Sequence, residues 1–275
     1  MKLRSHLIVA ISAAILPVLI FSTVLVVVLA RQQRASVMEG LVETARALAL
    51  ALDRDITGVI VALRALGSSE QLTSGDLEAF HRQAARVVAI DPTWLAIVLV
   101  DPTGRQLLHT AVPYGAPLPT WRDQAFVREA VDTEAPRISD AFVGPVTQRL
   151  QVTIAAPLVH QRSVRYVLAA SVDAHALSRL LGQQRFPSEW TAAVLDRGKT
   201  IIARNRAAEQ FVGTPATPDL AAQSSAAAEG IYRATTKEGD AVYAAFSRSG
   251  VTGWTVALGV PAAIIDASLH RSLWT

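Results

Sequence analysis

The sequence predicts an α+β chain: an N-terminal transmembrane helix, a long stalk helix continuing from it, and two successive modules, each on an antiparallel five-stranded sheet. Three observations carry this. Residues 7–30 form an apolar run without a charge, a helical apolar period follows it to about residue 66, and a strand–turn–strand pattern then occurs twice.

The apolar run is interrupted only by Ser12, Pro17, Ser22 and Thr23. At about 1.5 Å per residue it makes a helix of roughly 36 Å, enough to cross a hydrocarbon core of about 30 Å with some tilt. Pro17 removes one backbone hydrogen bond, which membrane helices tolerate. A cleaved signal peptide, with Lys2 and Arg4 as its basic start and cleavage after Ala30, is the rival reading, but its apolar region would span only about 7–15 residues. Lys2 and Arg4 on one side balance Arg31 and Arg34 on the other, so positive charge alone does not orient the span. Placing the amino terminus in the cytoplasm follows from what comes after it.

Leu41, Ala45, Leu48, Leu52, Ile56, Val59, Leu63 and Leu66 recur at steps of three and four. That period serves a coiled-coil seam joining two copies of the chain, or a helix packed on its own module, or both. The long helix is assigned to residues 31–72. Asp76 then caps a helix at 77–88, and Asp91-Pro92 ends it. Trp94–Val100 reads as a strand, Asp101-Pro102-Thr103-Gly104 as a tight turn and 105–110 as the return. A proline-rich loop leads to a helix at 123–131, followed by strands at 137–143, 150–158 and 165–172 and a helix from Asp173 to Leu181. The order then restarts: strand 190–195, a turn at Asp196-Arg197-Gly198-Lys199, strand 200–204, an irregular stretch at 207–229, strands 230–236, 241–247 and 254–260, and a helix opened by Pro261. Ile97-Val98-Leu99-Val100-Asp101 and Ala193-Val194-Leu195-Asp196 mark the duplication.

Composition removes several function classes. Lys and Arg number 26 against 23 Asp and Glu, with no basic block, so no nucleic-acid surface is expected. The chain has no cysteine, and its six histidines lack ligand spacing, so neither a metal site nor any other cofactor is expected. No Gly-x-Ser-x-Gly elbow, phosphate loop or His-Glu-x-x-His occurs, so no catalysis is expected. The thin exception is Ser139 or Ser171 near His175, which a hydrolase would need in one cleft.

The segments 97–104, 126–130 with 136–142, 150–157 and 167–173 together resemble the double Cache (PDC) sensor domains of bacterial transmembrane receptors, with PAS-like modules. The matching features are a D-x-x-G hairpin, an aromatic-led helix, an I-S-x-P-Y-like strand, a V-T-I-A-x-P strand and a G-V-x-x-x-D strand, over about residues 31–270. The resemblance implies a cytoplasmic tail at 1–6, the transmembrane helix at 7–30, the stalk at 31–72, a membrane-distal module at 73–182, a membrane-proximal module at 183–262, and a helix at 263–275 leading to a second crossing. It implies a bacterial inner-membrane protein with residues 31–270 periplasmic, homodimeric through the stalk, sensing a small-molecule ligand for an output domain beyond Thr275. A sensor histidine kinase is the first expectation, a chemoreceptor or diguanylate cyclase the alternatives. An anchored periplasmic protein-interaction module competes with all three.

In the resembling family the distal module holds the ligand. Amino-acid-binding members carry Arg-x-Trp-Tyr at the start of the pocket helix, and the corresponding residues here are Gln124-Ala125-Phe126-Val127. The carboxylate-binding arginine is therefore absent, while Asp173 stands where the ammonium-binding aspartate would be. This argues against an α-amino acid. The resemblance makes Trp121, Arg122, Asp123, Phe126, Asp140, Phe142 and Asp173 the candidate ligand-binding residues, with Arg122, Arg128 and Arg137 as possible anion anchors. Asp173 serves equally as a helix cap, and the three aromatic rings serve equally as core.

Overall fold

The computed structural model describes residues 2–121, 124–161, 163–183 and 186–271; among these, the side chains of residues 2–24, 26, 27, 29–31, 34 and 267–271 fall outside the description. The predicted membrane segment 7–30 therefore lies outside the residues with described side chains, except for Leu25 and Val28, which are exposed. Among the described residues no helix is long and apolar enough to cross a membrane.

Helix α1 runs unbroken from Lys2 to Gly67 (Lys2–Gly67). The predicted seam is used by the chain's own sheets. Leu41, Ala45, Ile56, Leu63 and Leu66 are buried on it, Leu48, Leu52 and Val59 partly so, and Ala49 and Ile60 widen the stripe. Leu41 and Ala45 pack with Tyr243, Leu258 and Val260, whereas Ile56, Ile60 and Leu63 pack with Ile97, Ile154 and Leu168. One helix thus lies along both sheets. Asp53, midway, accepts hydrogen bonds from Ser249 Oγ, Gly250 N (3.1 Å) and Val251 N (3.4 Å), which ties α1 to a turn of the second sheet.

A short helix, α2 (Glu70–Ser74), follows across the expected end of the stalk at residue 72, where the sequence reads as a break, and Gly75 ends it at φ 83°. α3 (Leu77–Ile90) starts at Asp76, whose side chain accepts from Ala79 N at 2.9 Å. The first sheet contains β1 (Trp94–Val100), β2 (Gln106–His109), β3 (Arg137–Ile138), β4 (Phe142–Val143), β5 (Leu150–His160) and β6 (Ser163–Asp173), with α4 (Ala125–Thr133) between β2 and β3. Its order is β2-β1-β6-β5-β3, with β4 also paired to β5. α5 (Ala174–Gln183) leads to the second sheet: β7 (Thr191–Leu195), β8 (Ile201–Arg204), β9 (Glu229–Thr235), β10 (Ala241–Arg248) and β11 (Thr255–Pro261), in the order β8-β7-β11-β10-β9. α8 (Ala262–Arg271) closes the fold. The two sheets share one topology, as a duplication requires.

Two expectations need correction. The single strand expected at 137–143 is two short strands, so the first sheet has six strands, not five. Its middle leaves the ladder because it bonds the second module: Ala141 N donates to Asp196 Oδ2 (3.0 Å) and Arg197 Nη2 to Ile138 O (2.8 Å). The stretch 207–229, expected to be irregular, holds α6 (Ala208–Phe211) and α7 (Pro218–Ala226). Pro218 at the first helical position and Asp219 in the first turn are start signals. They were masked because an Ala/Ser-rich helix shows little apolar period.

Candidate functional site

Strand alternation gives the first sheet two unlike faces. Ile97, Leu99, Ile154, Leu168 and Ala170 face α1 and α3. The opposite face has a floor of small residues, with Ala96, Val98, Val100, Ala155, Val167 and Ala169 in one cluster. Register places polar residues beside it. Ala96 pairs with Ser171, which pairs with Thr153, while Asp173 pairs with Gln151, which pairs with Phe142. At the other edge Gln106 pairs with Val100. Gln106, Gln151, Thr153, Ser171 and Asp173 are all buried.

The cover over this face is local in origin. Asp101 Oδ1 accepts from Thr103 N, Thr103 Oγ1 and Arg105 N, which closes the β1–β2 turn, and Gly104 completes it at φ 88°. Burial acts to raise the Asp101 pKa, but these hydrogen bonds outweigh it and hold the carboxyl below its usual range. The chain then returns along the turn: Arg105 bridges Thr120, and Trp121 N donates to Gly104 O at 2.7 Å. This sets the Trp121 ring, 2% exposed, against the floor and edge-on to Phe126 at 5.5 Å. Phe126, from the first turn of α4, lies 6.1 Å from Phe142. Three rings thus roof a floor of alanines and valines, while Phe126, Val127 and Ala130 present the buried side of α4 to it.

The polar strip is mostly self-satisfied. Gln151 Nε2 donates to Ser171 Oγ (3.0 Å), Thr147 Oγ1 to Gln151 Oε1 (2.6 Å), and Thr153 N to Ser139 Oγ (2.8 Å). Asp173 is held by Arg149 and accepts from His175 N at 3.1 Å. By contrast, Gln106 Nε2, Gln106 Oε1 and Trp121 Nε1 are buried without a hydrogen-bond partner. On β2, His109 is buried, and desolvation, with repulsion from His81 second, lowers its pKa to about 4, so it is neutral at physiological pH.

Of the candidates read from the sequence, Trp121, Phe126 and Phe142 come together. Asp173 lies on the same sheet face but already has Arg149 as a partner. Asp140 sits elsewhere, accepting from Arg197 Nε (2.9 Å) at the junction with the second sheet. Arg122 and Asp123 lie outside the described residues. Arg128 is exposed; Arg137 pairs with Ala155 in register and with Glu129 at 3.4 Å. Neither Ser139 nor Ser171 has His175 among its hydrogen-bond partners. Gln106, Arg149, Gln151 and Thr153 were not singled out from the sequence, and Ser171 was named only as a possible nucleophile. For the strand residues the signal was alternation inside apolar strands, Gln151-x-Thr153-x-Ala155, which places polar groups on one face; Arg149 lies just before β5 and carries no such signal.

The second module has a space of about 70 Å³ between its sheet and α7, with Ala193, Ala244, Ala257, Leu220 and Tyr232 in its wall. Its cations fasten the module's own structure. Arg204 is paired with Glu238 through two 2.7 Å bonds, and Lys237 Nζ reaches Thr214 Oγ1 (2.7 Å) and Pro215 O (2.6 Å).

The structure is similar to the extracellular domain of a protein described as histidine kinase mmHK1S-Z3, with a TM-score of 0.69 and 13% identity, over 88% of this chain and 98% of that one. It is also similar to the ligand-binding domain of the Pseudomonas fluorescens chemoreceptor CtaA in complex with L-serine (TM-score 0.65, 13% identity, 83% and 98% covered). A third likeness is to the ligand-binding domain of the Pseudomonas aeruginosa amino acid chemoreceptor PctB in complex with L-Arg (0.64, 16%, 84% and 97%). No curated protein sequence matches the chain. The family profile described as Cache domain, of the double type, matches residues 29–269. With two sheets of one topology strung along one helix, the chain belongs to the double Cache family of sensor domains.

Proposed function

We propose that this chain is the extracytoplasmic sensing region of a bacterial membrane receptor and binds a small polar solute on the roofed face of its first sheet. The observation that carries this is the small-residue floor under Trp121, Phe126 and Phe142, edged by buried polar groups. Ala96, Ala155 and Ala169 keep the floor beneath the rings short-chained. The candidate contacts are Trp121, Phe126, Phe142 and Asp173, with Arg122 and Asp123 next to Trp121 in sequence. The proximal module is the weaker site, because its cations are engaged within its own structure.

An α-amino acid is not the favoured solute. Gln124 stands where the resembling receptors have their carboxylate-binding arginine, and one oxygen of Asp173 is held by Arg149 while the other accepts from His175 N.

Residues 7–30 anchor the chain in the inner membrane in this reading, and the exposed Leu25 and Val28 suit a lipid-facing helix. The stalk is α1 beyond the membrane. With its first seam on its own sheets, its outer face has Ala47, Ala51, Arg54, Gly58, Val61 and Ala65 at heptad steps, beside the exposed Leu50. This second, small-residue stripe suits close packing against α1 of a second copy. Solute binding would shift the population of two dimer arrangements, with Asp53 coupling α1 to the β10–β11 turn. A histidine kinase output is the first choice and a chemoreceptor or cyclase the second. A thermal-shift screen of the full chain in detergent against polar organic solutes tests the reading. A solute raising Tm by several degrees supports it; a broad library without one removes it.

A further inference from the structure

The unpartnered polar groups of the distal face are Gln106 Nε2, Gln106 Oε1 and Trp121 Nε1. Gln106 is 6% exposed and Trp121 2%, so water in the bulk does not serve them. A buried polar atom left without a partner is costly, and native proteins keep few. Three such atoms on neighbouring structure ask for one explanation. Gln106 pairs in register with Val100, and Trp121 packs in the cluster that contains Val100, so both side chains belong to the roofed face. The bridge from Arg105 to Thr120 brings their two segments side by side.

We infer that Gln106 and Trp121 read an uncharged amide-type edge on the ligand, a C=O beside an N–H, as found in primary carboxamides, lactams and nucleobases. This rests on the sensing reading above and names its solute class. The chemistry follows from donor and acceptor counts. Gln106 offers one acceptor and two donors, and Trp121 one donor. A carboxylate, which only accepts, would leave Gln106 Oε1 unpaired, and an ammonium, which only donates, would leave Gln106 Nε2 and Trp121 Nε1 unpaired. An amide edge satisfies Gln106 through paired hydrogen bonds, and a further ligand oxygen or ring nitrogen accepts from Trp121. The Trp121 and Phe126 rings, edge-on to each other, suit a planar group.

The test uses nicotinamide, uracil and nicotinate as probes on the full chain, wild type and Gln106→Leu, by calorimetric titration. Nicotinamide or uracil binds wild type, nicotinate binds at least about tenfold more weakly, and Gln106→Leu loses at least about tenfold for the amide probes. Without ligand, Gln106→Leu melts at the same temperature as wild type or higher, since it removes two orphaned atoms. A fall of several degrees would show that the Gln106 amide is used within the fold and would overturn the inference. Binding of a carboxylate or amine but of no amide probe, or amide binding untouched by Gln106→Leu, would overturn it too while leaving the sensing reading intact. If no solute of any class binds the distal face, both fail.

Discussion

Arg149 binds the Asp173 carboxylate at the end of β6, where that carboxylate also accepts from His175 N in the first turn of α5. A half-exposed arginine thus neutralises a wholly buried acid at the joint between the last strand of the distal module and the helix leading to the proximal one. Removing Arg149 alone leaves the charge buried and uncompensated. Arg149→Met is expected to cost about 1–3 kcal/mol in urea unfolding, below the full cost of a buried pair because Arg149 is itself half in water. Arg149→Met combined with Asp173→Asn should cost less than the sum of the single changes, a coupling that a double-mutant cycle measures.

His109 makes stability depend on pH. Its folded pKa, about 4, is below the ordinary value near 6.5, because burial disfavours the charged ring. The unfolded chain therefore takes up the proton first as pH falls. Stability from this group is complete above pH 6.5 and declines between 6.5 and 4, by up to about 3 kcal/mol. His109→Gln should flatten that part of the profile in chemical unfolding measured from pH 7 to 4.

Asp53 joins the long helix to the second sheet through Ser249, Gly250 and Val251. Asp53→Ala should speed hydrogen exchange at residues 249–253 by at least tenfold and lower stability by about 1–2 kcal/mol. Exchange in β1 and β6 of the first sheet should change little.

The outer stripe of α1 is expected to hold two copies together. Gly58 has no neighbour within 4 Å of an added Cβ, so Gly58→Leu is accommodated within one chain. It would nonetheless wedge apart two helices packed on that face. Light scattering of the full chain in detergent should show dimers for wild type and a shift to monomers for Gly58→Leu, with unfolding midpoints of the monomer preserved.

Most of the fold was legible because its elements are strongly periodic. The strands at 94–100 and 150–158 and the turns Asp101–Gly104 and Asp196–Lys199 were read within a residue or two. The failures are tertiary in origin. Residues 137–143 have strand texture, yet Ile138 O and Ala141 N are taken by Arg197 and Asp196 from the other module. Asp140, named from the resemblance, accepts from Arg197 across the same junction. At the candidate site Trp121, Phe126 and Phe142 were named from the family resemblance, and the structure brings the three rings together. Gln106 and Gln151 were not named, since a polar residue inside a strand declares its role only once register shows which face it shares.

The central claim is that a solute occupies the first sheet, not the second. Titration of the stabilising solute against paired variants, Ala169→Leu on the distal floor and Ala257→Leu on the proximal one, tests it directly. Ala169→Leu should abolish binding while Ala257→Leu leaves affinity within about twofold of wild type. Loss of binding in Ala257→Leu with affinity kept in Ala169→Leu would contradict the account.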